Sequence, residues 1–453
     1  MRLVIIGGGI SGLSLAYFLL ERKPSLDIVI LEAGKKAGGK IWTDKAEGFL
    51  CEGGVNGFLD NRPKTLELLA KLGLIPLRSN DNARKRYIFS DGKLHRLPES
   101  PVSFFSSDLL SFYGRLRILW EIFVPKSTPD DETLADFARR RLGKEAYEKL
   151  IDPMASGIYA GDPENMSLKS CFRRIYELEQ KYGSLIKAMM KLQKEAKKTG
   201  NKVGPGPGGV LTSFYDGMEL IISLLKNFLG ERLKTNARVV SVDKEGEDYV
   251  IYISDGKSIK SEALVLAIPA YEASEMVKIL DNNLSATLNE IFYPAVSVVC
   301  LGYKRSKIRH PLDGFGFLIP NREGKKILGT LWDSSVFPNR APDGYVLLRT
   351  MLGGARMSGL ALQDEDKQIN MVMNELKGIM KIDAQPDFTK VYIHQKGIPQ
   401  YSSGHERRLG AIDKSTDKFK KFYITGNAYR GIGVNDCIEN SFKLAERIIE
   451  ENP

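Results

Sequence analysis

Residues 1–40, MRLVIIGGGISGLSLAYFLLERKPSLDIVILEAGKKAGGK, decide the fold. Leu3-Val4-Ile5-Ile6 is a short continuous apolar run, the pattern of a strand buried on both faces of a parallel sheet. Gly7-x-Gly9-x-x-Gly12 follows at once, residues 13–21 have the periodicity of an amphipathic helix, and Pro24 stops it. A second apolar run, Ile28-Val29-Ile30-Leu31, closes on Glu32. Strand, glycine turn, helix, strand and acid in this order make a dinucleotide-binding unit. Gly7 makes the tight turn, Gly9 keeps side chains away from a pyrophosphate, and Gly12 lets the helix approach the sheet. The backbone from Gly7 through Gly8, Gly9, Ile10 and Ser11 to Gly12 then offers N–H groups to phosphate. Glu32 is placed to accept from the ribose hydroxyls of an adenosine.

The chain has 453 residues, more than one core usually serves, so two or three domains are expected. Its net charge of +10, from 66 basic and 56 acidic residues, invites an acidic partner: nucleic acid, an anionic membrane or a carboxylate-bearing small molecule. On charge alone a solubilising surface is the better reading, and no nucleic-acid module is recognised in the sequence. Cys51, Cys171, Cys300 and Cys437 are scattered, without CxxC spacing or a histidine cluster. They argue against a disulfide framework and a metal site, and suit a reducing cytosol. The N-terminal apolar run is too short for a signal peptide, and no uncharged run is long enough to span a bilayer. The expectation is a cytoplasmic protein, peripheral on the inner membrane face if any segment docks there.

Further along, Gly38-Gly39-Lys40 and Glu52-Gly53-Gly54-Val55-Asn56-Gly57 add glycine turns that NAD does not need and a long FAD does. Residues 63–72 have helical periodicity, and Arg84-Lys85-Arg86-Tyr87-Ile88-Phe89 reads as a basic-edged strand. Between residues 98 and 125, Phe104, Phe105, Phe112, Tyr113, Trp120 and Phe123 interleave with Arg115 and Arg117. That pattern predicts helices with aromatics on one side and cations on the other, as in an interfacial membrane helix or a helical domain core. Residues 130–196 continue helical. The run Gly204-Pro205-Gly206-Pro207-Gly208-Gly209 marks a junction. Residues 218–229 read as helix, and 238–242, 249–253 and 263–267 as strands that return to the nucleotide domain. Residues 290–410 are strand-rich and predict a mixed sheet. Residues 422–427 form a last buried strand, and after Gly431-Ile432-Gly433-Val434 a final helix runs to 450. The fold class is α/β, with an FAD-binding domain from 1–78, 203–268 and 420–453. A mixed-sheet substrate domain takes 79–98 and 269–419, and a helical insert takes 99–202.

The paired glycine turns resemble the glutathione-reductase-type Rossmann flavoproteins, and among them the flavin amine oxidase superfamily. Gly157-Ile158-Tyr159-Ala160-Gly161-Asp162-Pro163, Gly183-Ser184-Leu185-Ile186, Asp333-Ser334-Ser335-Val336-Phe337-Pro338 with Arg340-Ala341-Pro342, Ile398-Pro399-Gln400-Tyr401 with Gly404-His405, and residues 426–438 narrow the likeness. Together they resemble the family of protoporphyrinogen oxidases and coproporphyrin-forming coproporphyrinogen III oxidases, from the first strand to the last helix. The resemblance implies FAD contacts at Gly7 to Gly12, Glu32, Ala33, Gly39, Lys40, Gly54, Val55, Asn56, Gly57, Val239, Asn427, Ile432, Gly433 and Val434. It implies a propionate held by Arg86, which agrees with the basic strand edge. It also implies a tetrapyrrole between Phe315, Leu318 and Met351, beside a loop carbonyl at Gly157. Asn56 matches a position that carries arginine or asparagine in the family, and Asp216-Gly217-Met218 departs from a glycine pair common there.

The implied reaction is oxidation of protoporphyrinogen IX to protoporphyrin IX, six electrons in three flavin cycles, with oxygen as the expected acceptor and hydrogen peroxide as product. The alternative is coproporphyrinogen III oxidised to coproporphyrin III. Pyrrole N–H groups grow acidic as the ring becomes an imine, so no strong base is required. His95, His310, His394 and His405 pair with no carboxylate in the sequence pattern, and none is assigned as acid or base. Asn56 and Gly157 are positional candidates only. A flavin amine oxidase is a more distant reading, since residues 296–303 lack the lysine such enzymes often hold near the flavin. A flavin-binding scaffold without activity is the non-enzymatic rival. The expected partners are therefore a propionate-bearing tetrapyrrole and a peripheral membrane contact, with no nucleic acid, in a monomer or homodimer.

Overall fold

In the computed structural model, which describes residues 1–98, 101–126, 131–199 and 208–452, the opening apolar run is the strand Arg2–Ile6. The helix Ile10–Arg22 and the strand Asp27–Leu31 follow, and the two strands pair in parallel from Arg2↔Asp27 to Ile6↔Leu31. Ala263–Leu266 pairs with the first strand on its other side, Phe422–Ile424 lies beyond it, and Leu233–Lys234 closes the far edge. All five strands are parallel. Leu3 and Ile5 point into a core shared with the helices Ile10–Arg22, Glu219–Leu229 and Val434–Glu451. Val4 and Ile6 point the other way, into a second core. Apolar layers on both faces explain why the run shows no polar alternation.

That second layer contains a separate antiparallel sheet of Val239–Glu245, Asp248–Ile253 and Ser258–Ser261, with helices Ala270–Met276, Asn282–Asn289 and His405–Thr416. Of the three strands read as returning to the nucleotide domain, Ala263–Leu266 joins the parallel sheet and the other two cover it. The helices Glu219–Leu229 and Val434–Glu451 keep the sequence-predicted stretches.

A seven-stranded sheet runs in the order Phe388–His394, Val296–Lys304, Tyr345–Gly353, Ile327–Leu331, Gly316–Leu318, Arg86–Ser90, Lys93–Arg96. Only the Gly316–Leu318 pairing with Arg86–Ser90 is parallel. The strand at Arg86 starts two residues later than read, because residues 81–84 close a short 3-10 turn capped by Asn80. Val299, Leu301 and Tyr303 face the helix Glu365–Met380. The alternate residues Val298 and Cys300 face the hairpin Thr43–Ala46/Phe49–Glu52 of the nucleotide half. A period of two therefore gives one strand two partners, the helix behind and the cofactor half in front.

The described residues between 101 and 199 are mainly helical and are organised around Arg141, which is fully buried. Its Nη1 donates to Glu121 Oε1 at 2.9 Å and to the Val124 carbonyl at 2.8 Å, and its Nε donates to Glu179 Oε1 at 2.7 Å. Glu121 in turn accepts from the Ser184 hydroxyl at 2.6 Å and from the N–H groups of Leu185 and Ile186 at 2.9 and 3.1 Å. The Gly183-Ser184-Leu185-Ile186 motif is thus a helix N-terminus closed by a buried carboxylate. This hub pins residues 112–123, whose Phe112, Tyr113, Trp120 and Phe123 remain 62, 82, 62 and 70% exposed. The interleaved arginines do not form the outer cationic face the pattern suggested. Arg117 reaches inward to the Arg140 and Arg141 carbonyls at 2.6 and 3.0 Å, and Arg115 to the Ser107 carbonyl at 3.2 Å. Carbonyls left open at a helix end draw guanidinium groups more strongly than water does. No described helix is long and apolar enough to cross a membrane. Residues 99–100 of the aromatic stretch and 204–207 of the glycine-proline run lie outside the described residues.

Replacing Arg141 by Met leaves Glu121 buried without its cation and Glu179 with Arg140 alone, and is expected to cost about 3–5 kcal/mol. Urea unfolding measures it; a loss below about 1 kcal/mol would contradict the hub assignment.

Candidate functional site

The nucleotide end is built from Gly7 to Gly12. Gly7 has φ +113°, and its N–H donates to the Leu31 carbonyl at 2.8 Å. A side chain at Gly12 would lie 2.0 Å from the Gly7 carbonyl oxygen, so that position must be bare for the helix to reach the strand. Gly9 differs in kind. A Cβ there would meet nothing nearer than the Gly39 Cα at 3.9 Å, and no side chain caps the helix that starts at Ile10. Gly9 and Gly38 form a parallel bridge, so two glycine turns stand side by side, with open space over Gly9 and Gly39. The turn and the uncapped helix N-terminus suit a pyrophosphate, which would occupy that space and take the N–H groups of Ile10, Ser11 and Gly12.

Glu32 makes bonds that the sequence reading did not include. Its Oε2 accepts from the Gly8 N–H at 2.8 Å and its Oε1 from the Gly34 N–H at 2.7 Å. The carboxylate thereby shapes both flanking turns, with a second lone pair on each oxygen left for a hydroxyl. Ala33 is exposed beside it, and Val239 is buried at the start of its strand.

The middle of the path is more crowded than the glycines imply. A Cβ on Gly53 would strike the Trp42 indole nitrogen at 1.8 Å, one on Gly54 the Lys40 carbonyl at 2.2 Å, and one on Gly57 the Thr212 carbonyl at 2.5 Å. These glycines are bare because the chain packs on itself there. Gly39 is exposed, while the Lys40 ammonium is tied to the carbonyls of Lys396 and Gly397. Burial pushes the Lys40 ammonium down to about 8. Val55 packs against the nucleotide core.

At the far end, Asn427, Ile432, Gly433 and Val434 form the loop that enters the last helix. Two residues without an assigned role hold it. Tyr401 donates to the Asn427 carbonyl at 2.7 Å and accepts from the Gly431 N–H at 2.8 Å. His405 stacks on that ring at 4.1 Å between centroids, and its Nε2 meets the Tyr429 carbonyl at 3.0 Å. Burial pushes the His405 imidazole down to about 4, so it is neutral at pH 7 and acts as an anchor. The Tyr-x-x-x-His spacing on a helix start was the available signal for this pair. The other histidines are also tied to structure: His394 to the Gly53 carbonyl at 2.7 Å, His310 to the Leu312 N–H at 3.1 Å, and His95, against the sequence reading, to the Asp108 carboxylate at 2.8 Å, a pair that the hairpin following Arg86 brings together.

Register gathers the residues of the ring end. Arg86 pairs with Gly316, Leu331 and Arg349 in one row, and Ile88 with Leu318, Gly329 and Met351 in the next. Directly paired residues share a face, as do residues two apart, so Arg86, Leu318, Met351 and Arg349 look toward the nucleotide half. The Arg86 guanidinium lies 5.5 Å from the centre of the Phe315 ring. A Cβ on Gly157 would fall 2.7 Å from Leu318 Cδ2, so the helix Asp152–Tyr159 seats directly on that residue. Met351 packs beside Ala160, Leu328 and Met357, next to a small pocket lined also by Ser156 and Gly353.

Between the two halves lies a charged cluster that the sequence reading did not single out. Arg349 Nε donates to the Glu52 carbonyl at 3.2 Å and Nη2 to the Gly54 carbonyl at 2.5 Å. Arg340 approaches Glu52 Oε1 at 3.3 Å and donates to the Ser213 hydroxyl at 2.8 Å. Glu52 also accepts from the Met218 N–H at 2.8 Å, which gives the departing Asp216-Gly217-Met218 turn a structural part. Asn56 Nδ2 donates to Asp333 Oδ1 at 3.1 Å. Burial raises the Glu52 carboxyl to about 7 against the pull of Arg340, and raises Asp333 against Arg349 and Arg340. The signal available in the sequence was an arginine inside the apolar strand Tyr345–Gly353.

Comparisons with known proteins agree with this architecture. Residues 10–449 match the flavin containing amine oxidoreductase family. Coproporphyrinogen III oxidase of Bacillus subtilis is 30% identical over 97% of this chain and 96% of its own length. The chloroplastic protoporphyrinogen oxidase of Oryza sativa is 32% identical over 98% of this chain and 87% of its own. The crystal structure of a candidate protoporphyrinogen oxidase from Exiguobacterium sp. 255-15 superposes with a TM-score of 0.85 at 25% identity, covering 100% of this chain and 99% of the other. The open faces of Gly9 and Gly39 and the uncapped helix suit the cofactor such proteins carry, and the chain belongs to the flavin-containing amine oxidoreductase family as an FAD-dependent oxidoreductase.

Proposed function

We propose that the chain oxidises protoporphyrinogen IX to protoporphyrin IX, with Arg86 holding a propionate and Phe315, Leu318 and Met351 contacting the macrocycle. The observation that carries this reading is that Arg86, Leu318 and Met351 share one face of the seven-stranded sheet, toward the nucleotide half, with the Arg86 guanidinium 5.5 Å from the centre of the Phe315 ring. Bound FAD supplies a ring that accepts two electrons and a proton's worth of hydrogen per cycle. The protein's tasks are to hold the pyrophosphate over Gly9, to hold the flavin between the turns at Asn56 and Gly433, and to set the porphyrinogen flat against apolar walls. Protons leave pyrrole nitrogens as the ring is oxidised, which fits histidines that are tied up in structural bonds.

Coproporphyrinogen III is the second reading, supported by the likeness to a relative of that name. It has four carboxylates against two. Within the cationic run, Arg84 pairs with Asp81 and Lys85 with Asp313, while Arg86 contacts Phe315 and has no carboxylate partner among the described residues. One uncommitted guanidinium favours the substrate with fewer carboxylates. The exposed Phe112, Tyr113, Trp120 and Phe123 support a peripheral membrane contact, with the net charge of +10 assisting at an anionic surface.

Gly9→Ala adopts the same backbone without a clash and is expected to keep the apoprotein's stability within about 1 kcal/mol. It should weaken FAD binding by at least about tenfold, about 1.4 kcal/mol. Parent-like FAD affinity in a calorimetric titration would remove Gly9 from the cofactor site. Assayed side by side by porphyrin fluorescence, protoporphyrinogen should give the higher kcat/KM. Arg86→Ala should then raise KM roughly tenfold or more through loss of a charge-assisted pair; a preference for coproporphyrinogen would promote the second reading. Flotation with vesicles containing anionic lipid should carry the protein, and Trp120→Ser with Phe123→Ser should release it. Equal flotation of parent and variant would sink the membrane contact.

A further inference from the structure

The buried cluster between the two halves has features that a plain structural salt bridge lacks. Arg340 and Glu52 are fully buried, Asp333 is fully buried, and Arg349 is nearly so. Yet Asp333 Oδ2, Asn56 Oδ1, and Arg340 Nε and Nη1 have no partner among the described residues. A network serving stability alone would saturate such groups, since each buried unpaired donor or acceptor costs about 1–3 kcal/mol. Its connections are also directional. Arg349 stands two residues before Met351 on the same face of the same strand, and its guanidinium grips the carbonyls on either side of Gly53. Beyond that turn, Leu59 accepts from Asn435 Nδ2 at 2.8 Å, at the start of the last helix. One chain of contacts therefore runs from the Met351 strand through the Gly53–Gly54 turn to the loop at Gly433.

Asp333 adds orientation to this position. A carboxylate can only accept when ionised, the form that Arg349 and Arg340 favour against burial, and its bond from Asn56 Nδ2 then turns the Asn56 amide nitrogen toward Asp333. The amide oxygen must then point the opposite way. A neutral amide in place of Asp333 could donate or accept, and that constraint on Asn56 would disappear.

We propose that Arg349 and Asp333 are positioning residues for the flavin, Arg349 setting the height of the Gly54 turn and Asp333 the rotation of the Asn56 amide. The proposal rests on the reading that residues 54–57 touch the flavin. It makes the substrate-facing sheet the element that adjusts the cofactor turn.

The test compares holoenzymes of Asp333→Asn, Arg349→Lys and Arg349→Met with the parent. Asp333→Asn is isosteric and is expected to retain FAD, with a shifted flavin absorption band, a changed reduction potential, and reduction by protoporphyrinogen slowed roughly tenfold at nearly unchanged KM. Arg349→Met should weaken FAD binding tenfold or more, and Arg349→Lys, which keeps a donor and the charge, should recover part of it. The spectrum and potential are read by photoreduction without any porphyrinogen, so they test the positioning role even if the substrate reading fails. An Asp333→Asn protein with parent-like spectrum, potential and reduction rate overturns the role of Asp333. Equal FAD affinity in Arg349→Met and the parent overturns that of Arg349. If Arg349→Met does not fold, Arg349→Lys decides: unchanged affinity and spectrum overturn the proposal for Arg349, and a partial loss supports it.

Discussion

The grip of Arg349 on the carbonyls of Glu52 and Gly54 is the contact on which the arrangement of the two halves depends. A guanidinium is costly to bury, and here its solvation is replaced by backbone oxygens and by the nearby carboxyls of Glu52 and Asp333. Because the arginine sits in a strand whose next same-face residue is Met351, the sheet that faces the site is tied to the turn that faces the nucleotide half. Apolar packing of Val298 and Cys300 against Phe49 and Cys51 adds area to the same junction without directing it.

Two kinds of glycine follow from that junction. Gly12, Gly53, Gly54 and Gly57 are bare because backbone or ring atoms of the protein already occupy the place of a side chain. Gly9 and Gly39 are bare with space in front of them. The first kind permits the fold and the second kind leaves room for a ligand, and a glycine motif alone does not separate them. Likewise the loop at residues 427–433 keeps its shape through Tyr401 and His405, a ring stack and three bonds to main-chain atoms.

Much of this was legible in the chain. The parallel strand at residues 3–6, its glycine turn and the second strand follow from local pattern, as do the last strand and helix, because each has a strong periodic or punctuating signal. The FAD assignment came from glycine turns close in sequence. Less legible were the partners. Nothing local said that residues 238–261 would form a separate sheet covering the parallel one, or that Arg115 and Arg117 would turn inward onto carbonyls. The Glu32 carboxylate is in the expected place, but its bonds to Gly8 and Gly34 depend on turn geometry that a sequence does not contain.

By itself the amino-acid sequence determined the dinucleotide unit, the flavin and the kind of protein, because these rest on residues within one or two turns of each other. Only the tertiary structure decided that Arg86, Leu318 and Met351 share a face, since that depends on the register of three strands far apart in the chain. It also decided that Glu52, Arg340, Arg349, Asp333 and Asn56 meet. Charges become a cluster only when folding removes the water between them, and no local pattern encodes which buried charges will face one another.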